Sequence, residues 1–127
     1  MDEMFKEFEF NEAADHVIRE VNGVPVPDDY LEFMRRHNGG EGNVGRNSYM
    51  QLVKLEELEE FNNDYEIPEY LNDIFIFATD LGGTLFGYNS VKKSYCAVDS
   101  CSICEEDILY AGRTFEEFVT EMDKGNL

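Results

Sequence analysis

The chain is expected to form an α+β fold, with a mostly antiparallel central sheet and helices at the N-terminus, between the early strands and at the C-terminus. Three observations predict this. Residues 26–40 carry a complete helix pattern, from a proline start to a glycine stop. Residues 74–78, 84–88 and 95–98 are short apolar runs separated by Gly82-Gly83 and Ser90-Val91-Lys92-Lys93, the spacing of an antiparallel meander. Thr114 and Glu117 form a capping box ahead of Phe115, Phe118, Val119 and Met122, which recur at helical spacing. With 127 residues and no internal repeat or linker, residues 1–127 read as a single domain.

The individual elements follow in order. Residues 1–10 mix apolar and charged positions ambiguously, with Phe5, Phe8 and Phe10 as the apolar members. Asn11 is placed to cap a helix that puts Ala14, Val17, Ile18 and Val21 on one face and stops at Asn22-Gly23. The next helix is better marked. Pro27 suits a first turn, and Asp28 and Asp29 sit at the positive end of the dipole. Tyr30, Phe33, Met34 and His37 share one face, Arg35 and Arg36 sit at the negative end, and Asn38-Gly39-Gly40 supplies the stop. Residues 41–48, with Gly42, Gly45 and polar neighbours, read as a loop. Residues 49–53 read as a strand, and Leu55, Leu58 and Phe61 open a helix. A turn or short helical connection is expected over residues 67–71, and a short strand over residues 108–111.

Composition narrows the function classes. A hydrophobic content of 43% is that of a globular domain. No apolar run approaches the roughly 20 residues needed to cross a bilayer, and the acidic start Met1-Asp2-Glu3-Met4 is unlike a secretory signal. A cytoplasmic location is the expectation. The formal charge of −18 opposes nucleic acid and anionic membrane surfaces, because both need clustered lysine and arginine. It favours a basic protein partner, drawn in by long-range attraction. The same acidity also serves solubility or a salt-adapted proteome.

No catalytic set emerges, so the chain reads as a non-enzyme without cofactors. Cys96, Cys101 and Cys104 are spaced Cys-x4-Cys-x2-Cys, but His16 and His37 lie far off in the sequence and the redox-motif flanks are missing. Reduced thiols in or beside a loop are expected. The glycine-rich residues 39–46 lack the Gly-Lys-Ser/Thr ending of a phosphate loop and follow a helix where that loop would follow a strand. Asp80, beside Gly82-Gly83, marks a hairpin turn. His37 reads as a half-buried residue at its helix end and His16 as a solvated one.

The candidate partner-binding residues are Glu56, Glu57, Glu59, Glu60, Asp64, Tyr65, Glu66, Glu69 and Tyr70. If Leu55, Leu58 and Phe61 face the core, the glutamates crowd outward, where like charges at i+3 and i+4 repel by a few tenths of a kcal/mol each. A cationic partner would relieve that repulsion; a solvated helix face is the plainer reading of the same residues. The two tyrosines add side chains favoured in interface hot spots. Glu105, Glu106 and Asp107 form a second, smaller acidic patch.

Four blocks of this sequence, in order, resemble the SUKH superfamily, which groups a yeast cell-wall-synthesis regulator with bacterial immunity proteins. The first is the Pro27-Asp28-Asp29-Tyr30 to Asn38-Gly39-Gly40 helix. The second is Leu52-Val53-Lys54-Leu55-Glu56-Glu57-Leu58 followed by Asn62-Asn63-Asp64-Tyr65. The others are the Phe77 to Tyr88 strand, Asp/Gly turn and strand, and the closing Thr114 to Val119 helix. The resemblance covers about residues 20–122. The chain has no tryptophan where many members carry an aromatic before the Leu-Glu-Glu-Leu helix, and its turn reads Asp-Leu-Gly-Gly. Membership implies the α+β fold above and a bacterial immunity protein that binds and neutralises a cognate toxin domain, often a nuclease. A regulatory interaction module unconnected with toxins fits the same residues, and a small thiol- or metal-dependent protein is the third reading.

Overall fold

The computed structural model describes residues 2–46 and 48–127; Met1 and Asn47 lie outside the described residues. A 3₁₀ helix (Asp2–Phe5) leads into β1 (Phe8–Phe10). A two-stranded hairpin follows, β2 (Glu20–Val21) with β3 (Val24–Pro25), and then α1 (Asp28–Arg36). Next come β4 (Gly40–Val44), β5 (Ser48–Leu52), a 3₁₀ turn (Leu55–Glu57), α2 (Leu58–Asp64) and α3 (Ile67–Tyr70). The chain closes with β6 (Ile74–Thr79), β7 (Thr84–Asn89), β8 (Ser94–Asp99), a 3₁₀ turn (Glu105–Asp107), β9 (Leu109–Tyr110) and α4 (Phe115–Asp123). The main sheet has seven strands in the order β1-β4-β5-β6-β7-β8-β9, every pair antiparallel. The α+β class and the antiparallel meander are as expected.

The central strands are buried on both faces, and the two-residue alternation of a strand divides their side chains between two cores. Phe75, Phe77, Phe86, Tyr88, Tyr95 and Ala97 join α1 and α4 in the larger core. Ile74, Ile76, Leu85, Cys96 and Val98 face the other way, toward Ile67 and Leu71 at α3 and Ile108. Aromatic rings fill the larger core: Tyr30 meets Phe77 at 4.8 Å between centroids, and Tyr95 stacks on Phe118 at 5.4 Å.

Two sequence expectations fail. The helix expected to start at Asn11 is absent from the described residues; 11–19 are irregular, and Val21 is buried in β2. Asn22 and Gly23 both have positive φ, 49° and 84°, and link β2 to β3 as the two-residue turn of a hairpin. The Asn-Gly pair is therefore a hairpin signal and not a helix stop. Asn11 instead donates from its backbone N–H to the Gly39 carbonyl at 2.9 Å and from Nδ2 to the Asn38 carbonyl at 3.0 Å.

The second failure is the loop expected over residues 41–48, most of which is strand β4 and the start of β5. Glycine is usually depleted in strands, but here it permits close strand approach. A Cβ on Gly40 would lie 2.2 Å from the Glu9 carbonyl oxygen, and one on Gly42 would lie 2.6 Å from that of Glu7. The glycines let β1 seat against β4.

Candidate protein-interaction face

Asn38 shows how the Asn-Gly-Gly stretch positions the acidic segment. α1 ends with His37 extended, and the left-handed residue is Gly39, at φ +86°, where a Cβ would meet the Leu52 carbonyl oxygen at 2.3 Å. Asn38 is buried. Its Oδ1 accepts the Leu55 N–H at 2.8 Å, and its Nδ2 donates to Glu56 Oε1 at 2.7 Å. That hydrogen bond holds the Glu56 carboxyl below the ordinary carboxylate range. The end of α1 thus fixes the start of the acidic segment.

Asn62 fixes its other end. β5 pairs with β6 through Gln51–Thr79 and Leu52–Ala78, the Val53 N–H donates to the Phe77 carbonyl at 3.0 Å, and the chain then diverges. α2 takes its place beside β6. The Asn62 amide accepts the Ile76 N–H at 2.7 Å and donates to the Ile76 carbonyl at 2.8 Å, as a neighbouring strand would. A third bond, from Nδ2 to the Leu58 carbonyl at 2.8 Å, holds the amide within its own helix. A buried asparagine with these partners is satisfied, and it pins α2 to the sheet.

Between α2 and the strands β1, β4 and β5 lies an open groove of about 560 Å³. Glu57, Glu60 and Asp64 line one side of it and Glu9 and Glu41 the other, with Phe10, Val53 and Phe61 as apolar lining. Lys54 is the one cation in that lining. Glu9, Glu41 and Gln51 are in cross-strand register, so they share one face of the sheet. Their neighbours Phe8, Met50 and Leu52 point into the larger core behind. Tyr49 donates its hydroxyl to Glu41, which raises the tyrosine's pKa.

The nine expected binding residues therefore do not form one patch. Glu57, Glu60 and Asp64 gather at the groove. Glu56 turns to Asn38, and Glu59 accepts the Asn22 N–H at 3.4 Å, near the β2–β3 turn. The helical run breaks after Asp64, where Glu66 adopts φ +57° and Tyr65 packs on Phe61 at 5.5 Å. Glu69 and Tyr70 are exposed on α3, beyond that break. Sequence reasoning missed Glu9, Glu41 and Gln51, which come from segments read as ambiguous, loop and plain strand. The available signal was the alternation Gly40-Glu41-Gly42-Asn43 set against Tyr49-Met50-Gln51-Leu52.

The cysteines separate. Cys96 is buried in β8, where burial pushes its thiol up to about 12. Cys101 is exposed, and Cys104 donates its thiol to Asp107 Oδ2 at 3.1 Å, which also accepts the Ser102 hydroxyl at 2.6 Å. Among the described residues no group of three or more His, Cys, Asp and Glu side chains is placed to hold a metal ion. His37 is half-buried and stacks on Phe10, with ring centroids 4.1 Å apart, while His16 is exposed. Among the described residues no helix is long and apolar enough to cross a membrane.

A seven-stranded antiparallel sheet, covered by α1 and α4 on one face and partly by α2 and α3 on the other, defines an α+β domain with an open acidic groove. Residues 12–121 match the model of the SMI1 / KNR4 family (SUKH-1), and the chain belongs to that family. No curated protein matches the chain. The family match begins upstream of the point where the sequence resemblance starts, and takes in the irregular residues 12–19 and the β2–β3 hairpin.

Proposed function

We propose that this chain is a non-enzymatic protein-binding domain of bacterial origin that neutralises a basic toxin domain by stoichiometric binding in the cytoplasm. The observation that carries this reading is the groove, an open, partly apolar cleft lined by five carboxylates and one lysine. A nuclease active site is built to attract a polyanion, so an acidic face can cover it and exclude nucleic acid. The overall charge of −18 speeds encounter, and a few desolvated contacts hold the complex. The chain performs no chemistry in this scheme. Membership in the SMI1 / KNR4 family (SUKH-1) is consistent with a domain of the interaction or immunity type.

The test is capture from a lysate of the source organism on the immobilised chain, at low and then high salt. The expected result is a basic toxin domain held one-to-one and released by salt, whose toxicity disappears when this chain is co-expressed. Capture of ordinary cellular proteins, with no toxin retained, would replace immunity with a regulatory docking role.

A further inference from the structure

The sheet is not covered evenly. On the face that carries the smaller core, β6, β7 and β8 lie under α3 and the segment around Ile108. On that same face β1, β4 and β5 present Glu9, Glu41, Asn43, Tyr49 and Gln51, all exposed or half-buried. This is an unpartnered sheet face on strands whose opposite side is packed. Glu9 and Glu41 stand directly across the β1–β4 ladder from each other, an arrangement that costs stability because like charges oppose. From the side, the 3₁₀ turn and α2 bring Glu57, Glu60 and Asp64 to the same space.

We propose that this sheet face, walled by α2, docks an extended protein segment bearing arginine or lysine side chains. The inference rests on the protein-binding reading above and specifies where and how the partner is held. Charge selects the occupant: cationic head groups meet the five carboxylates, and Val53 and Phe61 offer apolar surface to the aliphatic stems. A second copy of this chain would bring the same acidic face and a charge of −18 against it, and a nucleic acid would be repelled in the same way. The sequence-derived candidates Glu66, Glu69 and Tyr70 fall outside this surface.

A short peptide alternating arginine and serine, with its glutamate–serine counterpart as control, tests the proposal in the intact chain. The cationic peptide is expected to move the backbone amide resonances of Glu9, Glu41, Gln51 and Glu60, and the acidic peptide to leave them unmoved. Glu9→Lys with Glu41→Lys should weaken peptide binding about tenfold or more, because two attractive pairs become repulsive. Glu105→Lys with Glu106→Lys changes net charge equally on another surface, and should weaken binding by no more than about twofold. Glu9→Gln with Glu41→Gln provides a milder pair if the reversal disturbs folding. Equal losses in the groove and control variants would overturn the proposal, because the peptide would then sense only overall charge. Resonance changes elsewhere, or none at all, would overturn it too. A toxin captured equally by wild type and by the Glu9→Lys/Glu41→Lys variant would remove this docking site while leaving the neutralising role intact.

Discussion

The Asp29 carboxylate accepts the backbone N–H of Phe115 through Oδ2 at 2.6 Å, joining two residues 86 positions apart. Phe115 is the first residue of α4, where the helix has no acceptor of its own for that N–H. The other oxygen, Oδ1, accepts the Tyr95 hydroxyl at 2.7 Å and the Tyr30 N–H at 2.8 Å. One side chain therefore ties α1, β8 and α4 together. Thr114 completes the α4 start by accepting the Glu117 N–H at 3.1 Å, while its hydroxyl donates to Glu117 Oε1 at 3.2 Å.

Asp29→Ala is expected to lower stability by about 1.5–3 kcal/mol, the range for hydrogen bonds to a charged group. It also strands the Tyr95 hydroxyl in the core. Urea denaturation reads the loss, and a double-mutant cycle with Tyr95→Phe should show coupling between the two sites. Additive effects would mean that the carboxylate does not restrain the tyrosine.

Tyr30 is fully buried among Phe75, Phe77 and Phe115, and its hydroxyl has no hydrogen-bond partner among the described residues. Leaving a buried polar group unpaired costs about 1–3 kcal/mol, so Tyr30→Phe should raise the unfolding midpoint. Burial holds the phenols of Tyr30 and Tyr95 above their ordinary value of 10.0. The unfolded chain then loses those protons first. Their contribution to stability is full below pH 10 and falls as pH rises beyond it. Urea midpoints followed into the alkaline range should show that fall, and it should be shallower in Tyr30→Phe.

Asn62→Ala removes the partner of both Ile76 backbone groups. A penalty of about 1–3 kcal/mol for each group left unpaired is expected. Amide hydrogen exchange gives the local readout. The Ile76 N–H, bonded to Asn62 Oδ1 at 2.7 Å, should exchange faster in the variant, while amides in the β7–β8 ladder change only with global stability. Unchanged exchange at Ile76 would show that β6 is held without the asparagine.

The elements legible in the sequence were those whose neighbours lie close along the chain. β6, β7 and β8 follow one another through short turns, and α1 and α4 carry helical spacing and end signals within themselves. What was misread depended on distant partners. Gly40 and Gly42 favour a loop until Glu7 and Glu9 lie against them. Asn22-Gly23 follows an apolar spacing that mimics a helix, and its hairpin geometry shows only in the positive φ pair. The candidate site was half legible for the same reason. Glu57, Glu60 and Asp64 lie within eight residues of one another, whereas Glu9 and Glu41 reach the groove through strand pairing across 32 residues of chain.

Asn38 and Asp29 lie in the stretch by which the family can be recognised, and both act on the frame: one sets the start of the acidic segment, the other fastens α4 and β8 to α1. The groove residues Glu9, Glu41 and Gln51 stand on the side of the sheet away from the aromatic core, in outward strand positions. If the proposed docking holds, recognition and cohesion are separated by the thickness of one sheet. A lineage carrying this fold can replace its outward residues, and with them its partner, while its margin above the unfolding threshold stays nearly constant.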